Sequence, residues 1–273
     1  MEVLGNPAIA SFAIKFGLAD KVRDLGSLLF APLFSHDGSC SPDTMEWLSG
    51  FDLIVCYVFD PDRIFESNIR RYSPAKFVSG PHRPTEQSST HASVQLLEPL
   101  RNLAEPSFED GRRVALAASG WDGERSPSTI AIHPGSGSPK KNWPEEKWCS
   151  LLHRLVSTTG DPILLIGGEA ERDRLPGLAR LIPEHRRQIA LEPPLVELAD
   201  RLKGCRVFIG HDSGVTHLAA VLGLECIVLW GPSNESVWRP MGERVQILKH
   251  PENLRDLPVE TVVNALNGLL TTP

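Results

Sequence analysis

The residues His211, Asp212, Ser213 and Gly214 follow an apolar run and precede a helical pattern, an arrangement that suits anion binding. The backbone N–H groups of Ser213 and Gly214 would then lie at a helix N-terminus, where free donors and the helix dipole favour negative charge. Gly214 has no Cβ, so a phosphate can approach its backbone closely. An Asp/Ser N-cap without a ligand is the alternative interpretation, because such caps are common.

The loop 134–143, PGSGSPKKNW, is a second candidate for phosphate binding. It supplies small residues such as Ser136 and Gly137, free N–H groups, and the cations Lys140 and Lys141. The G-x-x-x-x-G-K-[ST] spacing of a P-loop is absent. A lysine can still reach a diphosphate as a point charge. The alternative is a solvated basic turn without a ligand.

Glu169 and His217 complete the set of candidate residues. Glu169 ends the loop 167–169 and could accept hydrogen bonds from ribose hydroxyls, or it could stabilise the dipole of the helix behind it. His217 lies about one turn into the helix after Gly214 and is either a ligand or a packing residue. His211, Asp212 and His217 have no recognised metal-ligand spacing, so we expect no bound metal.

The elements that must position these residues are buried strands alternating with helices. Apolar runs at 129–133, 162–166, 207–210 and 226–230 predict strands, and each is followed by a loop and a helical pattern, one of them over residues 170–181. Four such units predict a doubly wound α/β sheet. The three candidate loops follow strands, and in an open parallel sheet this edge binds ligands.

The first half of the chain shows a second set of strands and helices. Composition shifts to Gly, Pro, Ser and charged residues between 105 and 128, so we place a domain boundary there, giving domains 1–122 and 123–273. Asp60–Pro61–Asp62 has the D-x-D spacing of a metal-binding pair found in many sugar transferases. We favour a helix start, with Asp60 as N-cap, Pro61 first in the helix and Asp62 in its first turn.

Composition excludes several classes of protein. The chain has 273 residues, 41% of them hydrophobic, enough for a sizeable core and for two domains. The formal charge of −6 argues against sequence-independent binding of nucleic acid. No apolar run is long enough to span a membrane, and no signal peptide is visible. Five scattered cysteines read as buried, reduced thiols of a cytoplasmic protein.

Three segments together resemble glycosyltransferase family 9, the ADP-heptose:lipopolysaccharide heptosyltransferases and their relatives. They are HPGSGSPKKNWP, LLIGGEAER and FIGHDSGVTHLAAVLGLECIVLWGPS, and the likeness is strong over residues 130–240. The resemblance implies a GT-B-like α/β fold, with two Rossmann-like doubly wound domains facing across a cleft. It implies an inverting transferase that needs no metal and no cofactor.

The resemblance also implies roles for the candidate residues. Ser136, Gly137 and Lys141 would contact the phosphate side of the donor and Glu169 its nucleoside. Asp212, Ser213, Gly214 and His217 would hold the diphosphate and the sugar. Lys141 and Asp212 are the catalytic candidates.

The chain departs from the family at its start. Family members begin with a strand and a Gly-Asp turn whose aspartate is taken to deprotonate the acceptor. This sequence reads as starting at the second strand, so we expect an incomplete N-terminal domain without that base. Gly160–Asp161 is the nearest Gly-Asp pair and lies in the other domain.

The expected function is transfer of a sugar, with heptose favoured, from a nucleoside-diphosphate donor such as ADP-heptose to a lipopolysaccharide-core or other glycan acceptor. We expect a cytoplasmic protein, and a peripheral position at the inner face of the membrane is left open. A non-catalytic sugar-nucleotide-binding protein or an inactive fragment is the alternative. A dehydrogenase ranks third, since no G-x-G-x-x-G follows an opening strand.

Overall fold

The computed structural model describes residues 1–103 and 128–270. The chain divides into two compact units, Met1–Gly111 and Arg112–Pro273. The boundary expected between residues 122 and 123 lies outside the described residues. Among the described residues, no helix combines the length and the apolar character that crossing a bilayer requires.

The N-terminal unit alternates strands and helices. In chain order they are β1 (Glu2–Gly5), α1 (Pro7–Lys15), β2 (Lys21–Asp24), a 3₁₀ helix (Leu28–Phe34), α2 (Pro42–Ser49), β3 (Leu53–Cys56), α3 (Ile64–Tyr72), β4 (Lys76–Ser79), α4 (Ala92–Leu97) and a 3₁₀ turn (Glu98–Leu100). Side-chain caps start the first two helices, with Asn6 accepting from the amide of Ala8 and Ser41 from that of Thr44.

The strands of this unit form two separate parallel pairs, β1 with β2 and β3 with β4. A mostly apolar cavity of about 600 Å³ lies against β1 and β3, lined by residues that include Val3, Leu53 and Val55. Leu53 and Val55 remain exposed, although a parallel strand normally has both faces covered. The described strands of this unit therefore do not form one continuous sheet.

Asp60 caps α3, but not in the expected position. Its Oδ1 accepts from the amide of Phe65 at 3.1 Å and its Oδ2 from that of Glu66 at 2.8 Å. The helix begins only at Ile64, behind the left-handed Arg63 (φ 56°). Pro61 and Asp62 therefore precede the helix, and placing them inside it was wrong. Both carboxylate oxygens of Asp60 bind helix amides, which supports capping over metal binding.

The C-terminal unit contains one continuous parallel sheet. Its elements are β5 (Ile130–His133), a 3₁₀ turn (Pro139–Lys141), α5 (Glu145–Thr158), β6 (Ile163–Gly167), a 3₁₀ turn (Glu169–Glu171), α6 (Leu175–Ala179), a 3₁₀ turn (Glu184–Arg186), β7 (Arg187–Leu191), α7 (Leu195–Lys203), β8 (Val207–His211), α8 (Gly214–Val221), β9 (Glu225–Leu229), α9 (Glu235–Trp238), β10 (Val245–Leu248), a 3₁₀ turn (Leu254–Asp256) and α10 (Val259–Leu270). The strand order is β10-β9-β8-β5-β6-β7, with every pair parallel.

Buried apolar runs explain the central strands. Every residue of β5, β6 and β8 is buried, as expected for strands covered by helices on both faces. The core includes Trp143, which precedes α5, Trp148 and Leu152 from α5, and Val262 and Leu266 from α10. These contacts make the sheet a firm support for the loops at its edge.

One sequence expectation for this unit was wrong. The helix expected over 170–181 is a 3₁₀ turn followed by the short α6, since residues 172–174 separate them and Pro176 can only begin a helix. All five cysteines carry free thiols and four of them are buried, as expected.

Candidate functional site

Two of the candidate loops lie at the switch point of the sheet, which is the position between β5 and β8 where the order of the strands reverses. Counted from β5, the chain first moves outward through β6 and β7, then returns to the other side of β5 with β8, β9 and β10. This is the order of dinucleotide-binding Rossmann folds, in which ligands bind beside the carboxyl ends of the two central strands. The loop 134–143 follows β5 and the residues 212–214 follow β8, so both lie at this position.

Lys141 and Asp212 meet there in an ion pair. Lys141 Nζ donates to Asp212 Oδ2 at 2.6 Å, although the residues are 71 positions apart. The Asp212 side chain is only 7% exposed and that of Lys141 is 33% exposed, so the ammonium stays accessible. An ammonium has three N–H donors, and this contact uses one. The pair thus holds a partly exposed cation beside the N-terminus of α8.

The N-terminus of α8 combines an N-cap with open backbone. Ser213 is the N-cap, and its Oγ accepts from the amide of Thr216 at 3.4 Å. Ser213 therefore caps α8, and anion binding at the same helix N-terminus stays a prediction. The amides of Gly214 and Val215 belong to the first turn, which has no acceptors within its own helix. A Cβ at Gly214 would meet no atom within 4 Å, so the backbone can be approached from outside.

The loop after β5 is held by its own side chains. Ser136 is buried, and its hydroxyl lies 2.7 Å from Asn142 Oδ1 and 2.9 Å from the Ser138 carbonyl oxygen. That hydroxyl therefore stabilises the loop. Gly137 is exposed, and a Cβ there would meet nothing within 4 Å. The phosphate contacts assigned to Ser136 and Gly137 stay predictions.

His211 joins both ends of this loop to β8. Its fully buried ring accepts from the amide of Trp143 at Nε2 (2.8 Å), and its Nδ1 lies 3.2 Å from the Gly135 carbonyl oxygen. A neutral imidazole with a proton on Nδ1 satisfies both contacts. Burial lowers the pKa of His211 to about 3, which favours that neutral form. The ring of Trp148 packs edge-on against it at 5.4 Å.

The loop after β6 carries two glutamates in different environments. Glu169 is exposed at the start of its 3₁₀ turn, whereas Glu171 is buried at its end. Glu171 Oε2 accepts from the amide of Gly168 at 3.0 Å and lies 3.8 Å from His133 Nε2. Burial raises the pKa of Glu171, but the interaction with His133, the hydrogen bond from Gly168 and the charge of Arg174 outweigh it and hold the pKa below its ordinary value. His217 is half-buried on α8.

With this geometry established, the comparison with known families is decisive. The model of Glycosyltransferase family 9 (heptosyltransferase) matches residues 82–263, which is well over half of the chain. The chain belongs to glycosyltransferase family 9. The resemblance stated from the three sequence segments is thereby confirmed, and all three lie within the matched residues.

The chain is also similar to individual members of glycosyltransferase family 9. It is 26% identical over 164 residues to lipopolysaccharide heptosyltransferase 2 of Escherichia coli strain K12, a match covering 52% of this chain and 46% of that protein. It is 32% identical over 111 residues to lipopolysaccharide heptosyltransferase 1 of Pseudomonas aeruginosa, covering 40% and 30%. The matches thus span about half the length of these relatives or less.

Solved structures of heptosyltransferases share the fold. The E. coli ADP-heptose lipopolysaccharide heptosyltransferase II matches with a TM-score of 0.69 at 15% identity, covering 98% of this chain and 88% of that one. The E. coli heptosyltransferase WaaC with ADP matches with a TM-score of 0.71 at 16% identity, covering 98% and 89%. The expected GT-B-like α/β fold with Rossmann-like units is therefore confirmed.

Sequence reasoning missed two residues that organise this family 9 site, His133 and Glu171, and it assigned no structural role to His211. Each is buried and binds a loop distant in the chain. The available signal was a polar residue at the end of an otherwise apolar strand, shown by His133 and His211. Among residues 1–103 and 128–270, no group of three His, Cys, Asp or Glu side chains is arranged to hold a metal. Metal independence stays a prediction.

Proposed function

We propose that this chain is a glycosyltransferase domain pair that binds a nucleoside-diphosphate sugar, with ADP-heptose favoured. It transfers the sugar to a lipopolysaccharide-core or other glycan acceptor at the membrane surface, with inversion and without a metal. Family membership and the heptosyltransferase relatives support this class of reaction. Binding of ADP is suggested by the similar structure of WaaC with ADP.

The observation that carries the proposal is the Lys141–Asp212 pair at the switch point, next to the N-terminus of α8. A diphosphate there would receive the free N–H donors of Lys141 and the amides of the first helical turn. These contacts require no metal ion to neutralise the phosphates. Asp212 would keep the Lys141 ammonium aimed at the leaving group, and Glu169, being exposed, would remain available to the ribose.

The chemistry follows from where charge develops. The acceptor hydroxyl oxygen attacks the anomeric carbon while the bond from that carbon to the phosphate oxygen breaks. The nucleoside diphosphate leaves with the bonding electrons, and a base takes the hydroxyl proton. Lys141 and the α8 amides would stabilise the negative charge growing on the diphosphate. A single displacement of this kind inverts the anomeric centre.

Calorimetry with ADP tests the donor site. Charge-assisted hydrogen bonds contribute about 1.5–3 kcal/mol each, so Lys141→Ala should weaken ADP binding by roughly tenfold or more. Lys140→Ala is the matched control, because Lys140 is an exposed lysine of the same loop. Equal losses in the two variants would show that only the general charge of the loop matters. Unchanged affinity in Lys141→Ala would remove Lys141 from the site.

Transfer from ADP-heptose to a heptose-deficient lipopolysaccharide core tests the reaction, with and without EDTA. Turnover that survives chelation supports the metal-independent transferase. Loss of turnover in EDTA, restored by magnesium or manganese, would overturn metal independence. Donor binding without any turnover would favour the alternative, a sugar-nucleotide-binding protein that lacks an acceptor base.

A further inference from the structure

His133 lies between two residues that come from different loops. It is the last residue of β5 and is 5% exposed. Its Nδ1 is 3.3 Å from Ser213 Oγ, and its Nε2 is 3.8 Å from Glu171 Oε2. The ring therefore connects the N-cap of α8 on one side with a buried carboxylate on the other.

Glu171 is buried and is held by contacts with Gly168 and Arg174. It is 3% exposed and accepts from the Gly168 amide, and its Oε1 lies 3.4 Å from Arg174 Nη2. Arg174 Nη2 in turn donates to the Pro134 carbonyl at 2.8 Å, which ties this cluster to the loop after β5. A Cβ at Gly135 would lie 1.9 Å from Glu171 Oε1, so the same loop packs directly against the carboxylate.

The contacts from Glu171 through His133 to Ser213 have assignable donors and acceptors. Glu171 has a lowered pKa and is an acceptor, so the Nε2 of His133 that faces it carries a proton. Ser213 Oγ already accepts from the Thr216 amide and lies 3.1 Å from Thr216 Oγ1. Thr216 Oγ1 donates to the carbonyl oxygen of His211, the last residue of β8, and so links α8 to that strand. Each contact of the Ser213 hydroxyl therefore fixes the first turn of α8 against the end of the sheet.

We propose that Glu171 and His133 are positioning residues for the diphosphate, acting through Ser213. Glu171 orients the His133 ring, and His133 Nδ1 holds Ser213 Oγ so that the amides of Gly214 and Val215 face the anion. This inference rests on the proposed donor site and assigns neither residue a contact with substrate. It predicts that binding of the donor's phosphates depends on His133, whereas binding of its nucleoside does not.

Two substitutions of His133 separate its two nitrogens. His133→Asn places an amide oxygen close to the position of Nδ1 and so retains an acceptor for the Ser213 hydroxyl, but it loses the contact with Glu171. His133→Gln reaches towards Glu171 and loses the contact with Ser213. Both variants replace a buried ring by a smaller amide, so they should lose similar amounts of thermal stability.

Calorimetry with ADP and with adenosine reads out the difference. We expect His133→Gln to weaken ADP binding about tenfold and to leave adenosine binding unchanged. We expect His133→Asn to retain most of the ADP affinity. Equal ADP affinity in wild type and His133→Gln would overturn the inference, as would equal losses for ADP and adenosine or for the two variants. If wild type binds no ADP, the proposed donor site itself fails, and this inference fails with it.

Discussion

His211 is a fully buried residue whose side chain could carry a charge. It joins Gly135 and Trp143 to β8, and its pKa of about 3 lies well below the 6.5 of an exposed histidine. In the unfolded chain His211 takes up a proton near pH 6.5, whereas in the folded protein it does so only near pH 3. Between these values the unfolded state binds more protons, so stability rises with pH. The contribution is fully present above pH 6.5 and is lost as the pH falls.

We therefore predict that His211 makes the protein acid-sensitive. Its contribution falls by up to about 1.4 kcal/mol per pH unit below pH 6.5. Urea denaturation at pH 7 and pH 5.5 measures this, with His211→Gln as the reference that cannot titrate. Wild type should lose about 1 kcal/mol more than the variant over this interval. Equal losses would mean that His211 is protonated in the folded protein.

Residue types alone could predict only part of the site. Lys141, Asp212 and Ser213 carry recognisable chemistry at strand ends, and the structure brings them together. Glu169 and Glu171 are two positions apart in the same 3₁₀ turn, and packing alone decides which is buried. Contacts between distant loops, such as that from His133 to Ser213, have no local signature.

Elements with buried apolar runs were predictable, and elements without them were not. The central strands β5, β6, β8 and β9 follow their apolar runs to within a residue or two. The strand β10 was missed because only one of its four residues is buried, at the edge of the sheet. The short α6 differs from the expected long helix because Pro176 interrupts the helical pattern.

At the scale of one helix, we predict that Asp60 contributes to stability and Asp62 does not. Asp60 binds two amides of α3, and loss of such a cap typically costs about 0.5–2 kcal/mol. Asp62 is exposed ahead of the helix, and surface substitutions usually change stability by less than about 0.5 kcal/mol. Thermal denaturation of Asp60→Ala and Asp62→Ala measures the difference. Equal destabilisation of the two variants would contradict the capping role. So would ADP binding that requires magnesium in wild type and is lost in Asp60→Ala.

The two compact units differ in how completely their sheets are built. The C-terminal unit has a continuous six-stranded sheet with a core that includes Trp148, Leu151 and Ile209. In the N-terminal unit the described strands form two pairs, with a cavity of about 600 Å³ against β1 and β3. Cavities of this kind weaken a core because lining atoms lose packing partners.

Backbone amides should therefore exchange with solvent at different rates in the two units. Exchange reports local opening, and its free energy rises with buried apolar contact and continuous pairing. We expect hydrogen–deuterium exchange measured by mass spectrometry to be slowest in β5, β6 and β8 and markedly faster in β1 and β3. Similar protection in all of these strands would show that the interrupted sheet is as stable as the continuous one.

Addition of ADP to the same exchange experiment separates stability from binding. A ligand at 100 times its Kd stabilises the folded state by about 2.7 kcal/mol. If the donor binds at the switch point, added protection should concentrate in residues 134–143 and 212–217 and leave β1 and β3 unchanged. Lys140→Ala should show the same added protection, whereas Lys141→Ala, which should bind ADP roughly tenfold more weakly, should gain only about half of the stabilisation at the same ADP concentration. Protection that appears first in the N-terminal unit would place the nucleotide elsewhere and overturn the assignment of the site to the carboxyl edge of β5 and β8.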